Sequence, residues 1–252
     1  MTYILGARCK DGVVLISDRK VSGVDSEDPY TSKIRPAFTD AVFAAAGFET
    51  VFEDFLNELP KRVTIRQKMI EEQGKSLPAN SGYYYTLYHF KQDCIALIKE
   101  IKESCSEIQD RGILAIQVLI GVKDYFKNKS VLYYLDSFDC LPVEIKHKKV
   151  IGQSNLADVF LKSWKPEMTM KETARLGAFI IKYIEKEKLS EDNGVGIGGY
   201  QPQILLIPDG ETPVEMNIEE INDLLKDVDV TVNETIEKIG SKGRFLRTLS
   251  IT

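Results

Sequence analysis

A threonine at position 2, an aspartate at 18, a lysine at 33 and a glycine at 47 fall within the first 47 residues of the chain. Together these residue types could form one reaction centre. Removing Met1 would leave Thr2 with a free α-amino group beside its hydroxyl, so one residue would carry both nucleophile and base. A hydroxyl is a weak nucleophile at neutral pH. It needs a base to take its proton and a cation to favour its ionised form. An α-amine, with an ordinary pKa of roughly 7.7–8.0, suits the first task. A lysine suits the second, lowering the pKa of hydroxyl and amine alike, and a carboxylate would hold that lysine in place. A glycine lets a carbonyl approach a backbone N–H, which could then hold an oxyanion. Singly, each residue has an ordinary reading: a chain-end threonine, two solvated charges, a glycine that permits close packing. The combination carries the chemical reading.

The elements around these residues must bring them together. Residues 3–9 and VVLIS (13–17) read as two strands joined at the Asp11-Gly12 turn signal. Asp18 therefore falls at the end of the second strand. Residues 18–33 are polar and read as a loop or short strands. IRPAF (34–38) and AVFAAAG (41–47) form another strand–turn–strand unit, with Lys33 and Gly47 both at its open end. A helix is expected over 49–59, with Pro60 ending or bending it. A second helical piece and a loop follow over 61–82. From Tyr83, Leu87, Phe90, Cys94, Leu97, Ile98, Ile101 and Cys105 recur three or four apart, one apolar stripe along about six turns.

The period then switches. Residues 113–122, 130–136, 141–145 and 149–152 read as four strands, followed by a helix over 156–164. Thr169 and Glu172 make a capping box that opens a long helix to about 189. Its expected buried face is Met170, Ala174, Ala178, Ile181 and Ile184. A glycine-rich loop (192–199) leads to a strand over 203–208, a short strand over 212–216, and an amphipathic helix over about 218–240. Strand blocks separated by helix pairs, in one domain over 1–252, predict an α+β fold: a four-layer αββα sandwich of two antiparallel sheets flanked by helix pairs. Such sheets are covered on both faces, which accounts for strands that are apolar throughout.

Composition narrows the function. The chain has 252 residues, 43% hydrophobic and 28% charged, with a net charge of −5. That balance argues against nucleic acid as the main ligand. No stretch approaches the roughly 20 apolar residues of a membrane span. Four cysteines without CxxC spacing, and two histidines, predict neither a metal site nor a disulfide framework. A cytoplasmic protein without a cofactor is expected.

At the motifs of the first 47 residues — T-x-x-x-G, KDGVVL, SDRK, SKI and AAG — the sequence resembles the proteasome β-subunit family of N-terminal-nucleophile hydrolases. The resemblance implies a threonine-type peptidase in which Thr2 is the nucleophile, Asp18 and Lys33 its supporting pair, and Gly47 the oxyanion donor. It implies that Ser22 pairs with substrate backbone and that Ala45 floors a roomy, uncharged pocket. The family's supporting Gly-Ser-Gly turn corresponds to Gly152-Gln153-Ser154, with glutamine in the serine's place and Ser154 one position later. Asp192 corresponds to a further supporting aspartate, but the serine that follows it in the family is missing. These departures admit a slower peptidase, transpeptidation or amide hydrolysis. They also admit a second reading: a non-catalytic structural or assembly subunit on the same fold. The expected partners are a peptide or protein substrate, related subunits in a homo-oligomer or ring, and an ATPase regulator. The tail over 218–252 is expected either to pack on a neighbouring subunit or to be disordered.

Overall fold

The computed structural model describes residues 3–19, 32–38, 41–47, 49–72, 87–104, 116–124, 127–136, 142–152, 160–186 and 201–249. The first hairpin is β1 (Tyr3–Cys9) and β2 (Gly12–Ser17), and the second is β3 (Ile34–Phe38) and β4 (Ala41–Ala46). Helices α1 (Glu49–Glu72) and α2 (Leu87–Ser104) follow. A run of strands comes next: β5 (Gln117–Asp124), β6 (Lys129–Asp136), β7 (Val143–Ile145) and β8 (Lys148–Gly152). The chain then forms α3 (Met170–Lys186), β9 (Gln203–Pro208), β10 (Val214–Glu215) and α4 (Ile218–Leu249).

Among the described residues these strands form two five-stranded antiparallel sheets, one ordered β10-β9-β2-β1-β8 and the other β3-β4-β5-β6-β7. Strand alternation sorts the apolar side chains into three layers. Along β1, Ile4 turns toward the second sheet, where it joins Leu15, Val42, Leu119, Leu132 and Leu205. Tyr3, Leu5 and Ala7 turn the other way and pack with Ala174, Ala178, Ile181, Leu224 and Val228 of α3 and α4. The outer face of the second sheet packs on α1 and α2 through Phe43, Val118, Ile120, Phe55, Leu59, Cys94 and Leu97. This is the expected four-layer sandwich. Each sheet is covered twice, which is why its strands are apolar nearly throughout. Gly6 suits this layering: a Cβ there would sit 3.0–3.2 Å from Leu119, Leu15 and Leu132 side-chain carbons, which would have to shift by a few tenths of an ångström.

The capping box forms as expected. Thr169 Oγ1 accepts the Glu172 N–H at 3.1 Å, and Glu172 Oε2 accepts the Thr169 N–H at 2.7 Å. All five expected core residues of α3 are buried. Elsewhere the elements depart from expectation. Helix α1 does not end at Pro60 but runs on to Glu72. A proline inside a helix costs about 3 kcal/mol. That cost is offset by tertiary contacts: Phe55 and Leu59 are fully buried, and beyond the proline Arg62 pairs with Glu100 and Arg66 with Asp93 of α2. Of the strand expected over 113–122, residues 113–115 lie outside the described residues, and the observed strand runs Gln117–Asp124. Of the helix expected over 156–164, only 160–161 is helical among the described residues. The tail is a continuous helix to Leu249, longer than the expected 218–240.

Candidate active site

The ends of β1, β2, β3 and β4 meet at one edge of the inter-sheet layer. Asp18 follows β2 directly and is completely buried, and Lys33, just before β3, is 6% exposed. Lys33 Nζ donates to Asp18 Oδ2 at 2.8 Å. The other carboxylate oxygen, Oδ1, accepts the Tyr3 N–H at 2.8 Å. The Asp18 N–H in turn donates to the Tyr3 carbonyl at 3.1 Å. One carboxylate thus grips both the lysine and the backbone immediately after Thr2. Burial pushes the Asp18 carboxyl above its usual range, against the pull of the Lys33 ammonium and the Tyr3 N–H. Ser17, the preceding residue, is also completely buried, and its Oγ has no hydrogen-bond partner among the described residues.

Gly47 follows β4 at the same edge. It is exposed and has a φ of 131°, a conformation that residues with a side chain rarely adopt. Ala45 lies half-buried on the face of β4 that packs toward α1 and α2, and its N–H donates to the Lys33 carbonyl at 3.2 Å. The structure therefore gathers Asp18, Lys33, Ala45 and Gly47 at one edge. Thr2, Ser22, Ser154 and Asp192 lie outside the described residues, as do Gln153 and the loop over 192–199. Gly152, which opens the altered turn, is described. It pairs with Tyr3 across β1 and β8, has a φ of 81°, and donates its N–H to Gln117 Oε1 at 3.0 Å.

Two site residues escape the sequence reading. Gln117 holds the Gly152 N–H at the end of β8, opposite Tyr3. Gln203, 2% exposed at the start of β9, reaches across to the second sheet. Its Oε1 accepts the Ile34 N–H at 3.0 Å, and its Nε2 donates to the Ile34 carbonyl at 2.7 Å and to Ser32 Oγ at 2.6 Å. The available signal was a lone amide in otherwise apolar runs, ILAIQVLIGV and QILLIP. A buried polar side chain is costly unless it is hydrogen-bonded.

Among the described residues no cluster of His, Cys, Asp and Glu could hold a metal ion. Among the same residues no helix is long and apolar enough to cross a membrane.

No family model matches the chain, and no curated protein matches it. Solved structures do. Anbu (ancestral beta-subunit) from Yersinia bercovieri superposes with a TM-score of 0.69 at 13% identity, over 95% of this chain and 96% of that one. Anbu from Hyphomicrobium sp. strain MC1 gives a TM-score of 0.62, and its Gly-1 mutant 0.64. Both are 13% identical, over 94% of this chain and 97% of theirs. The fold is proteasome-like. This corrects the kinship read from the sequence: these structures are Anbu proteins, a distinct proteasome-like group, and not the proteasome β-subunit family itself. The physical reason lies in what the early motifs encode. Gly6 permits close packing between the sheets, and Ser17, Asp18 and Arg19, like Ser32, Lys33 and Ile34, stand at strand ends. Such features belong to the sandwich and do not separate its branches.

Proposed function

We propose that the chain is an N-terminal-threonine amidohydrolase on this proteasome-like fold, cleaving or transferring peptide bonds through an acyl-ester on Thr2. The observation that supports this reading is the buried Lys33–Asp18 pair with its second oxygen on the Tyr3 N–H. That nitrogen is bonded to the Thr2 carbonyl carbon, so the lysine and the nucleophile are referenced to the same carboxylate. Once Met1 and anything before it are removed, the Thr2 amine takes the proton from its own hydroxyl through a water. Lys33 stabilises the ionising hydroxyl, Asp18 orients Lys33, and the Gly47 N–H holds the oxyanion. Thr2 Oγ attacks the peptide carbonyl, the C–N bond breaks, and the leaving amine takes the proton from the Thr2 ammonium. Water, activated by the freed Thr2 amine, then resolves the ester, or another amine does. Asp192 and Ser154 would support the amine, and Ser22 would pair with substrate backbone. Ala45 would leave a roomy, uncharged pocket for the residue before the cut. The substrate is a peptide or protein. The proteasome-like fold further supports assembly with further copies or related subunits, an arrangement that an ATPase regulator could feed.

The test is the intact mass of the protein, with Thr2 at its terminus, after exposure to a β-lactone. One adduct on Thr2, absent in Lys33→Ala, is expected. A chain with a free Thr2 amine that takes no adduct rejects the reading in favour of a non-catalytic assembly subunit. The altered Gly152-Gln153-Ser154 turn is the feature that favours that second reading.

A further inference from the structure

The geometry points to Gln203 as the positioning residue that sets the Lys33–Asp18 distance, an inference that rests on the catalytic reading above. Among the described residues β3 is an edge strand, paired with β4. Edge backbone groups facing away from a partner need other hydrogen bonds when buried. At Ile34 the Gln203 amide supplies both, taking the N–H at 3.0 Å and giving a proton to the carbonyl at 2.7 Å. The amide cannot be reversed, because its oxygen would then face the Ile34 carbonyl and its NH2 the Ile34 N–H.

The peptide unit between Lys33 and Ile34 is consequently held on both edges. Its carbonyl accepts from Ala45 N–H in β4 at 3.2 Å, and its N–H donates to Gln203. A peptide plane fixed on both sides fixes the place of the Lys33 Cα, which lies in that plane and carries the side chain. The second hold comes from the opposite sheet, and from a chosen place on it. Gln203 is paired in register with Ser17, the residue before Asp18. Asp18 and the strap that positions its lysine are therefore built on neighbouring strands of one sheet, while Lys33 is carried by the other. The strap adds a hydrogen-bonded reference between the two sheets at Ile34, the residue next to Lys33, beside the packing of the sheets and the ion pair itself. Further bonds anchor the amide: Nε2 donates to Ser32 Oγ at 2.6 Å and lies 3.2 Å from Glu215 Oε1.

The role is positioning, not catalysis, because Gln203 acts through the Lys33 backbone. Lysine-selective 13C NMR reads it directly, with the Lys33 signal assigned by its disappearance in Lys33→Arg. In Gln203→Leu the Lys33 signal is expected to shift, and β-lactone acylation of Thr2 to fall about 10²-fold, the usual cost of a misplacement near 1 Å. Asp209→Asn, at the opposite end of the sheets, should leave both readouts unchanged. Gln203→Glu sharpens the test. A protonated glutamic acid can accept and donate like the amide, whereas a carboxylate can only accept. That variant should match the wild-type Lys33 signal at acid pH and depart from it as its carboxyl ionises. An unmoved Lys33 signal in folded Gln203→Leu overturns the inference whatever Thr2 does. If Gln203→Leu fails to fold, an unmoved signal in Gln203→Glu at alkaline pH overturns it equally. A wild-type chain with a free Thr2 amine that takes no adduct overturns the catalytic reading alone, since the NMR signal reports on Lys33 without any reaction.

Discussion

The two ends of the inter-sheet layer each hold an ion pair, and the pairs behave in opposite ways. At the candidate active site Lys33 and Asp18 are 6% and 0% exposed, and burial raises the carboxyl. At the far end, five residues along β1 and so roughly 17 Å away, Arg8 grips both oxygens of Asp209 at 2.9 Å. Those two side chains are 20% and 25% exposed. Burial works against the Asp209 charge there as well, but Arg8 and the Ser130 N–H, at 2.8 Å, hold its carboxyl below the usual range. Asp209 also ties the sheets together, since Ser130 belongs to β6, and Lys123 of β5 donates to the Gly210 carbonyl at 2.6 Å. The far end spends its pair on holding the sheets in register. Its guanidinium is a planar fork that matches one carboxylate. The near end buries a point charge, a lysine, beside a carboxylate that burial destabilises. A pair so placed is a poor device for stability, because the cost of dehydrating two charges can cancel their attraction. It is a good device for keeping a concentrated charge in a fixed place.

The sharpest way to break this contrast is to remove each pair in turn. Lys33→Ala should lower Thr2 acylation by a factor of about 10³ or more while the protein stays folded. Acylation in Asp209→Asn should remain at the wild-type rate, with stability lower by about 1–3 kcal/mol. Equal losses of acylation in the two variants would show that the near pair has no special role. Titration separates the pairs next. The folded-state carboxyl of Asp18 is raised, so its contribution to stability falls as pH climbs from the ordinary carboxylate value through the raised one. For Asp209 the folded value is depressed. Its contribution is complete above the ordinary value and is lost as pH drops through the folded one. Urea midpoints across pH should therefore lose their downward slope above the ordinary value in Asp18→Asn, and their upward slope below it in Asp209→Asn. Matching changes in both variants would contradict the opposite directions. The smallest effect concerns neither pair. Thr169→Ala removes the cap of α3, the helix behind β1 and β2, and should cost about 1 kcal/mol in a denaturant titration with acylation unchanged.

Much of the fold was legible from the chain because each signal was local. The hairpin at Asp11-Gly12, the capping box at Thr169 and Glu172, and the period-2 and period-3.6 runs each declare themselves within a few residues. Asp18, Lys33 and Gly47 could be singled out because each stands at the end of a recognisable strand. Pro60, read as ending or bending its helix, does not end it, because contacts with distant residues, Glu100 and Asp93 of α2, support the turns beyond it. Gln117 and Gln203 were missed for the same reason. Their partners, Gly152 and Ile34, lie 35 and 169 residues away, and nothing near either glutamine in sequence points to them.

The sequence by itself determined which residues could do chemistry and which strand ends would carry them, since residue type and periodicity are properties of short stretches. Only the tertiary structure decided that Asp18 would meet Lys33 at 2.8 Å with its other oxygen on Tyr3, and that Gln203 would hold the peptide between Lys33 and Ile34 from the opposite sheet. Those contacts arise from two sheets stacking face to face. The distance between residues on different sheets is set by the packing of every side chain between them, and no short stretch of sequence contains it.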